Sequence, residues 1–161
     1  MHTMRVFISH AHEDQNAASR IRAVLTEKGF DVWDPDRQIL PGSNWLVETG
    51  QALEKADAVV FLLSPDSSRS ALRYEVEYVI SRPKYENRVI PVRLSREGGK
   101  FPWILDKMSV IDASNEAPEK VAQSIATRLK SATARKSPAA KRTARSTREI
   151  RSKSSKLSKR A

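Results

Sequence analysis

Residues 58–63 read Ala58-Val59-Val60-Phe61-Leu62-Leu63, six apolar side chains without a polar interruption. A strand with one face in water alternates apolar and polar residues, because successive side chains point to opposite faces. A run without alternation fits a strand covered on both faces, the environment of a parallel sheet flanked by helices. It is also the longest apolar run in the chain, and it falls far short of the roughly 20 residues needed to cross a bilayer.

Upstream of this run, Arg5-Val6-Phe7-Ile8-Ser9 has the β-branched and aromatic content of a strand. Asp14 suits a helix N-cap, Ala18, Ile21 and Leu25 recur at helical spacing, and Gly29 suits the stop. Phe30 to Trp33 reads as a second strand, residues 34–43 as a long loop punctuated by Pro35, Pro41 and Gly42. Trp45 to Lys55 reads as a helix packed through Leu46, Gly50 and Leu53.

Downstream, Ser64 to Ser70 is a polar turn, and Leu72, Val76, Val79 and Ile80 mark a helix that ends before Pro83. Arg88 to Val92 reads as a fourth strand, whose Pro91 argues for a place near the end or edge of pairing. Met108 to Ile111 is expected as a short fifth strand, and Glu116 to Leu129 as a closing helix using Val121, Ala122, Ile125 and Leu129. Strand and helix alternate throughout, so the expected class is α/β, a five-stranded parallel sheet with helices on both faces and right-handed crossovers.

The 161 residues suggest one domain and an appendage, and the chain is 39% apolar. Residues 131–161 carry 11 Lys and Arg against the single acid Glu149, so they hold the whole formal charge of +10 and the remainder is neutral. Their only large aliphatic side chains are Ile150 and Leu157. Such a segment cannot bury enough apolar surface to offset its chain entropy. The expected organisation is a domain over 1–130 and a basic, disordered tail over 131–161. The chain contains no cysteine, which excludes disulfides, thiolate metal sites and thiol nucleophiles. The start runs into Val6-Phe7-Ile8 without a signal-peptide stretch. A soluble, cytoplasmic protein without a transmembrane segment is expected.

In an open parallel sheet, ligands sit beyond the carboxyl ends of the strands, which directs attention to residues 9–14, 34–43 and 64–75. His10-Ala11-His12-Glu13-Asp14 has donor types that bind zinc. Only His2 remains elsewhere and no downstream ligand cluster follows, so a polar loop with a helix cap is the preferred reading and no metal is assigned. Ser9 beside His10 does not make a triad, which is defined by geometry. Gly-x-Ser-x-Gly, Gly-x-Gly-x-x-Gly and the phosphate-loop Gly/Lys motif are all absent. Glu75 stands out. It lies roughly 90° from the centre of the apolar stripe around Val76, on the flank of the buried face. It is also near its helix start, where the dipole favours a carboxylate. Such a group, half-sunk at the mouth of the sheet, can bind ribose hydroxyls or stabilise a developing oxocarbenium ion. It can equally be a solvated helical Glu, like Glu77.

Taken together, the segments resemble a Toll/interleukin-1 receptor (TIR) domain of bacterial type over residues 4–130. Val6-Phe7-Ile8-Ser9-His10-Ala11-His12-Glu13-Asp14 is similar to the family's opening motif. Asp34-Pro35-Asp36 through Leu40-Pro41-Gly42-Ser43 resembles the long loop after the second strand, the BB loop. Trp45 to Leu53, Ala56 to Leu63 and Ser64-Pro65-Asp66-Ser67 resemble the following helix, strand and turn. The resemblance implies a flavodoxin-like five-stranded parallel sheet. It also implies one of two functions, an adaptor that signals by TIR–TIR association or an enzyme that cleaves NAD+ at the nicotinamide–ribose bond.

In the enzymes a glutamate of the third helix is essential, often within Trp-x-x-x-Glu. The matching stretch is Ala71-Leu72-Arg73-Tyr74-Glu75, with Ala71 in place of the aromatic. The resemblance therefore assigns Glu75 as catalytic, with NAD+ as substrate and no resident cofactor. Ser9, His10 and the BB loop would shape the pocket, Arg37 would meet phosphate or remain a solvated loop residue, and Tyr74 or Trp45 would replace the missing aromatic.

Three functions follow as expectations: an NAD+ nucleosidase in signalling or defence, an adaptor self-associating through Leu40, Pro41 and Trp45, and a nucleic-acid-associated protein. Lys and Arg of the tail suit DNA, RNA, an anionic membrane surface or another polyanion, or equally a tail that only solubilises, while the absence of interleaved aromatics argues against base stacking.

Overall fold

The computed structural model describes residues 2–69, 72–97 and 99–135. The expected disordered tail lies outside them from residue 136 onward, as does Ala71. The chain divides into two units, Met1–Lys130 and Ser131–Ala161, and the sheet belongs to the first.

Five parallel strands form the sheet: β1 (Arg5–Ser9), β2 (Asp31–Trp33), β3 (Ala58–Leu63), β4 (Val89–Arg93) and β5 (Ile111–Asp112), in the order β2-β1-β3-β4-β5. The helices are α1 (Gln15–Glu27), α2 (Pro35–Gln38), α3 (Trp45–Lys55), α4 (Leu72–Ile80), α5 (Trp103–Asp106) and α6 (Pro118–Ala134). All six residues of β3 are buried, and the alternation of side chains explains why. Val6, Ile8, Val60 and Leu62 pack with Ile21 and Leu25 of α1 and Ile125 and Leu129 of α6. Phe7, Val59, Phe61 and Leu63 pack on the opposite face with Leu53 of α3, Val76 and Val79 of α4 and Leu105 of α5. Phe7 also stacks on Trp33, ring centres 4.9 Å apart.

The first helix ends as its sequence indicates. Gly29 adopts φ +90°, its N–H donates to the Thr26 carbonyl, and the Phe30 N–H reaches back to Leu25. This double closure is the Schellman arrangement, which needs a left-handed residue that glycine supplies without a Cβ penalty. Pro91, expected near an end or edge of pairing, is instead the middle residue of the interior strand β4, opposite Phe61 of β3. The N–H of Leu94 points to β3, so alternation directs position 91 toward β5, which pairs only from Val92 onward. The missing donor of the proline is therefore not needed by the ladder.

Several expectations need correction. Asp14 stands at the α1 N-cap but makes no side-chain cap bond; its carboxylate is taken by Ser64. Leu46 is exposed, and Thr49 and Leu53 are the buried residues of α3. Ile80 is exposed, and Glu75 joins Leu72, Val76 and Val79 in the buried set of α4. The fifth strand is Ile111–Asp112, so Met108 to Val110 precede it. The final helix starts at Pro118 rather than Glu116 and runs to Ala134. The loop after β2 contains α2, started by the Asp34 side chain, which accepts the Asp36 N–H.

No helix among the described residues is long and apolar enough to cross a membrane.

Candidate functional site

Sheet order creates the site. From β1 the chain moves to β2 on one side, and from β3 it moves outward to β4 and β5 on the other. The crevice between β1 and β3, at their carboxyl ends, is the topological switch point where open α/β sheets bind ligands. Ser9, the last residue of β1, is paired with Phe61 of β3. Its odd position places it on the Phe7 face of the sheet, toward α4.

There Ser9 Oγ donates a hydrogen bond to Glu75 Oε2. Both residues are buried, Glu75 at 6% exposure. A carboxylate occupies a position on α4 whose neighbours at i−3, i+1 and i+4 are Leu72, Val76 and Val79. Helical geometry makes these one face, so Glu75 stands within the apolar stripe. Burial raises its pKa above the ordinary 4.5, while the Ser9 hydrogen bond and the His10 charge pull the other way.

His10 turns toward the loop after β2. Its Nε2 lies 2.8 Å from Asp34 Oδ1 and its Nδ1 lies 2.7 Å from the Ala11 carbonyl. A carbonyl and a carboxylate are both acceptors, so this placement favours the charged ring with both nitrogens protonated. Burial opposes that charge, but hydrogen bonds to Asp34 and Ala11 and the charges of Asp34 and Asp36 outweigh it, and the pKa is raised above 6.5. The His10 ring is 1% exposed with both nitrogens engaged. It orders the loop rather than offering a free donor to a ligand.

On the β3 side, Ser67 Oγ accepts the Ser64 N–H and donates to the Leu62 carbonyl, holding the turn after the strand. Ser64 Oγ donates to Asp14 Oδ2. Burial raises the Asp14 pKa, the Ser64 bond lowers it, Asp66 raises it and His10 lowers it. The loop after β4 closes on this turn at Gly99, where a Cβ would stand 2.7 Å from the Phe101 ring and 3.2 Å from the Ser64 carbonyl oxygen.

Ser9, His10 and Glu75 are thus brought together, with Asp34 and Asp14 beside them. Arg37 and Tyr74 are not part of this buried cluster: both are exposed, Tyr74 at 70%. Asp34 and the Ser64–Asp14 bond were missed from sequence. The available signal was a matched spacing, His10-x-His12 against Asp34-x-Asp36. Among the described residues no group of three or more His, Asp and Glu side chains is arranged to hold a metal ion. The arrangement is a cluster of the buried Glu75 and Asp34 and the half-buried Asp14 carboxylate around Ser9 and His10 at the carboxyl ends of β1 and β3.

The sequence profile of the TIR domain matches residues 6–134. Among solved structures, the TIR domain of the Toll-related receptor TRR-2 from Hydra magnipapillata superposes with a TM-score of 0.60 at 19% identity, covering 76% of this chain and 94% of that one. A flavodoxin-like domain from Synechococcus sp. gives a TM-score of 0.49 at 16% identity over 84% of this chain and 100% of that one. A 2-deoxyribosyltransferase from Bacillus psychrosaccharolyticus gives 0.49 at 15% identity over 71% and 90%. No curated protein matches the chain.

Proposed function

We propose that this chain, which belongs to the TIR domain family, hydrolyses NAD+ at the bond between nicotinamide and ribose. The observation that carries the proposal is the buried Glu75 carboxylate bonded to Ser9 at the switch point of the sheet. A structural helix has no need of a carboxylate in its apolar stripe, and perturbed buried acids concentrate at functional sites.

In the proposed reaction nicotinamide is the leaving group. Its ring nitrogen is already cationic, so it departs as a neutral molecule with the electron pair of the broken C–N bond. Positive charge then develops on the ribose carbon and ring oxygen. Glu75, ionised, holds ribose hydroxyls and stabilises that charge. Water adds to the sugar carbon and releases a proton, which gives ADP-ribose. Attack by an adenine nitrogen of the same molecule gives a cyclic product instead. Ser9 orients the Glu75 carboxyl, and His10 orders the loop. Arg37, exposed in the loop after β2, meets the pyrophosphate in this reading, and the exposed Tyr74 offers an aromatic ring. The reading assigns the chain to the cytoplasm, with a role in signalling or defence.

Nicotinamide release from NAD+ by the purified chain, dilute and concentrated, tests this. Release that falls at least about a hundredfold in Glu75→Ala is expected, the scale of losing one electrostatic stabiliser. Release unaffected by the substitution overturns the assigned role.

A second reading has its own support. Leu40, Leu46 and Val47 are exposed beside Trp45 at the end of the loop and the start of α3. An apolar patch of this kind suits TIR–TIR association, and absence of release in any assembled state favours a non-enzymatic adaptor. Residues 131–161 add a proposed contact with nucleic acid or another polyanion.

A further inference from the structure

Two histidines leave the end of β1 and two aspartates leave the end of β2 with the same spacing. His10 meets Asp34, and His12 Nδ1 meets Asp36 Oδ2 at 3.1 Å. The first pair is buried, with side chains 1% and 0% exposed, whereas the His12 ring is 80% exposed. The inner pair does more than join two strand ends. Asp34 Oδ1 also accepts the Asp36 N–H and so starts α2. The Asp34 N–H in turn donates to Gln38 Oε1 at the far end of the same short helix.

We infer that Asp34 is a positioning residue: bound to a protonated His10, it latches the loop over residues 35–43 against the Ser9–Glu75 centre, and loss of the His10 proton releases that loop.

Charge compensation within the buried His10–Asp34 pair holds the latch. A neutral imidazole has one N–H; kept on Nε2 it still reaches Asp34 Oδ1, but uncharged, and the Nδ1 lone pair then faces the Ala11 carbonyl oxygen at 2.7 Å, which already holds the Asp14 N–H. Deprotonation therefore removes the countercharge of a buried carboxylate and sets a nitrogen lone pair against a carbonyl oxygen. Asp34 tolerates this poorly, because its Oδ2 already lacks a partner among the described residues. Without the cation it is a buried carboxylate with no countercharge, held by one imidazole N–H and one backbone N–H. Moving the loop outward restores water to it. A four-residue helix such as α2 has little stability of its own to oppose that movement.

The groups acting on His10 from each side are acidic: Asp34 and Asp36 from the loop, Glu75 from α4 and Asp14 from the start of α1. They favour the charged ring. The latch is therefore complete at acid pH and is lost as pH rises through the His10 pKa, which lies above 6.5. The exposed outer pair contributes less. The released segment carries Arg37 and Leu40, so the latch would regulate both substrate contact and self-association; that consequence rests on the proposed NAD+ reaction, whereas the latch itself does not.

Amide hydrogen exchange over residues 36–43 of the full chain, from about pH 5.5 to about 8.5, tests it. Rates are corrected for intrinsic pH dependence and referenced to α1. In the wild type, exchange should rise roughly tenfold in a step centred above neutral His values, following the His10 ring titration by NMR. His10→Gln should remove the step and exchange fast throughout, and His12→Gln should keep it. Asp34→Asn should move the step to lower pH. A flat wild-type profile, or a step that survives in His10→Gln, overturns the latch. If His10→Gln fails to fold, coincidence of the wild-type step with the His10 titration decides, and a mismatch overturns it. Nicotinamide release measured on the same samples separates the two ideas. Activity indifferent to Glu75→Ala would remove the NAD+ reading and leave the exchange step to be judged by itself.

Discussion

Glu75 holds a position on α4 that packing alone would give to a leucine or valine. Its pKa is raised by burial, and a carboxylate raised on folding binds its proton more tightly in the native state than in the unfolded chain. Stability therefore falls as pH rises from the unfolded value through the folded one. Glu75→Gln keeps an acceptor for the Ser9 hydroxyl and removes the buried charge. We expect this variant to melt about 3 °C higher than the wild type at neutral pH, with the difference vanishing near pH 4. Calorimetry across that range checks it, and a lower melting temperature would mean that the ionised carboxylate is structurally needed. Loss of nicotinamide release in a variant of raised stability would separate function from folding. At this scale the sequence was informative about where to look, since Glu75 could be isolated by helical angle. It was misleading about depth: counting Ile80 into the stripe rotated the buried face away from Glu75.

Elements with local punctuation were legible, and those decided by neighbours were not. The bounds of β1, α3 and β3 coincide with the expected Arg5–Ser9, Trp45–Lys55 and Ala58–Leu63. The α1 terminus was equally plain, because Gly29 is the residue type its left-handed backbone requires. No atom lies within 4 Å of a Cβ built there, so Gly29→Ala isolates the conformational cost. The expected loss is about 1 kcal/mol, read as a drop of about 3 °C in melting temperature. An unchanged melting temperature would show that the helix end adapts freely. In contrast, α2 was invisible. Four residues containing a proline carry no periodicity, and the helix exists because Asp34 caps it while held by His10. The fifth strand was displaced for a similar reason: two residues are too few for a pattern, and the ladder with β4 alone selects Ile111 and Asp112.

Across the whole molecule the charge is divided unevenly, with the formal +10 carried by residues 131–161. Deleting residues 136–161 should leave the melting temperature and any nicotinamide release unchanged, since the sheet and its covering helices lie before them. It should abolish nonspecific DNA retention, whose logarithm in the full chain falls with log salt at a slope of about −0.9 per phosphate contacted. DNA binding that survives the deletion would contradict a tail-based contact. The exposed Leu40, Leu46 and Val47 belong to this scale as well. In the proposed adaptor reading they would meet another copy, and a single chain gives no packing reason for them.

By itself the sequence determined the class of fold, the family and the acid most worth testing, because each follows from local order along the chain: an uninterrupted apolar strand, alternating periods and glycine stops. Only the tertiary structure decided that Glu75 is fully sunk, that Ser9 is its partner and that Asp34 holds the loop through His10. Those contacts join residues 66 and 24 positions apart. They exist because strand order brings β1 between β2 and β3, and no pattern local to either partner encodes which chain ends that order will set side by side.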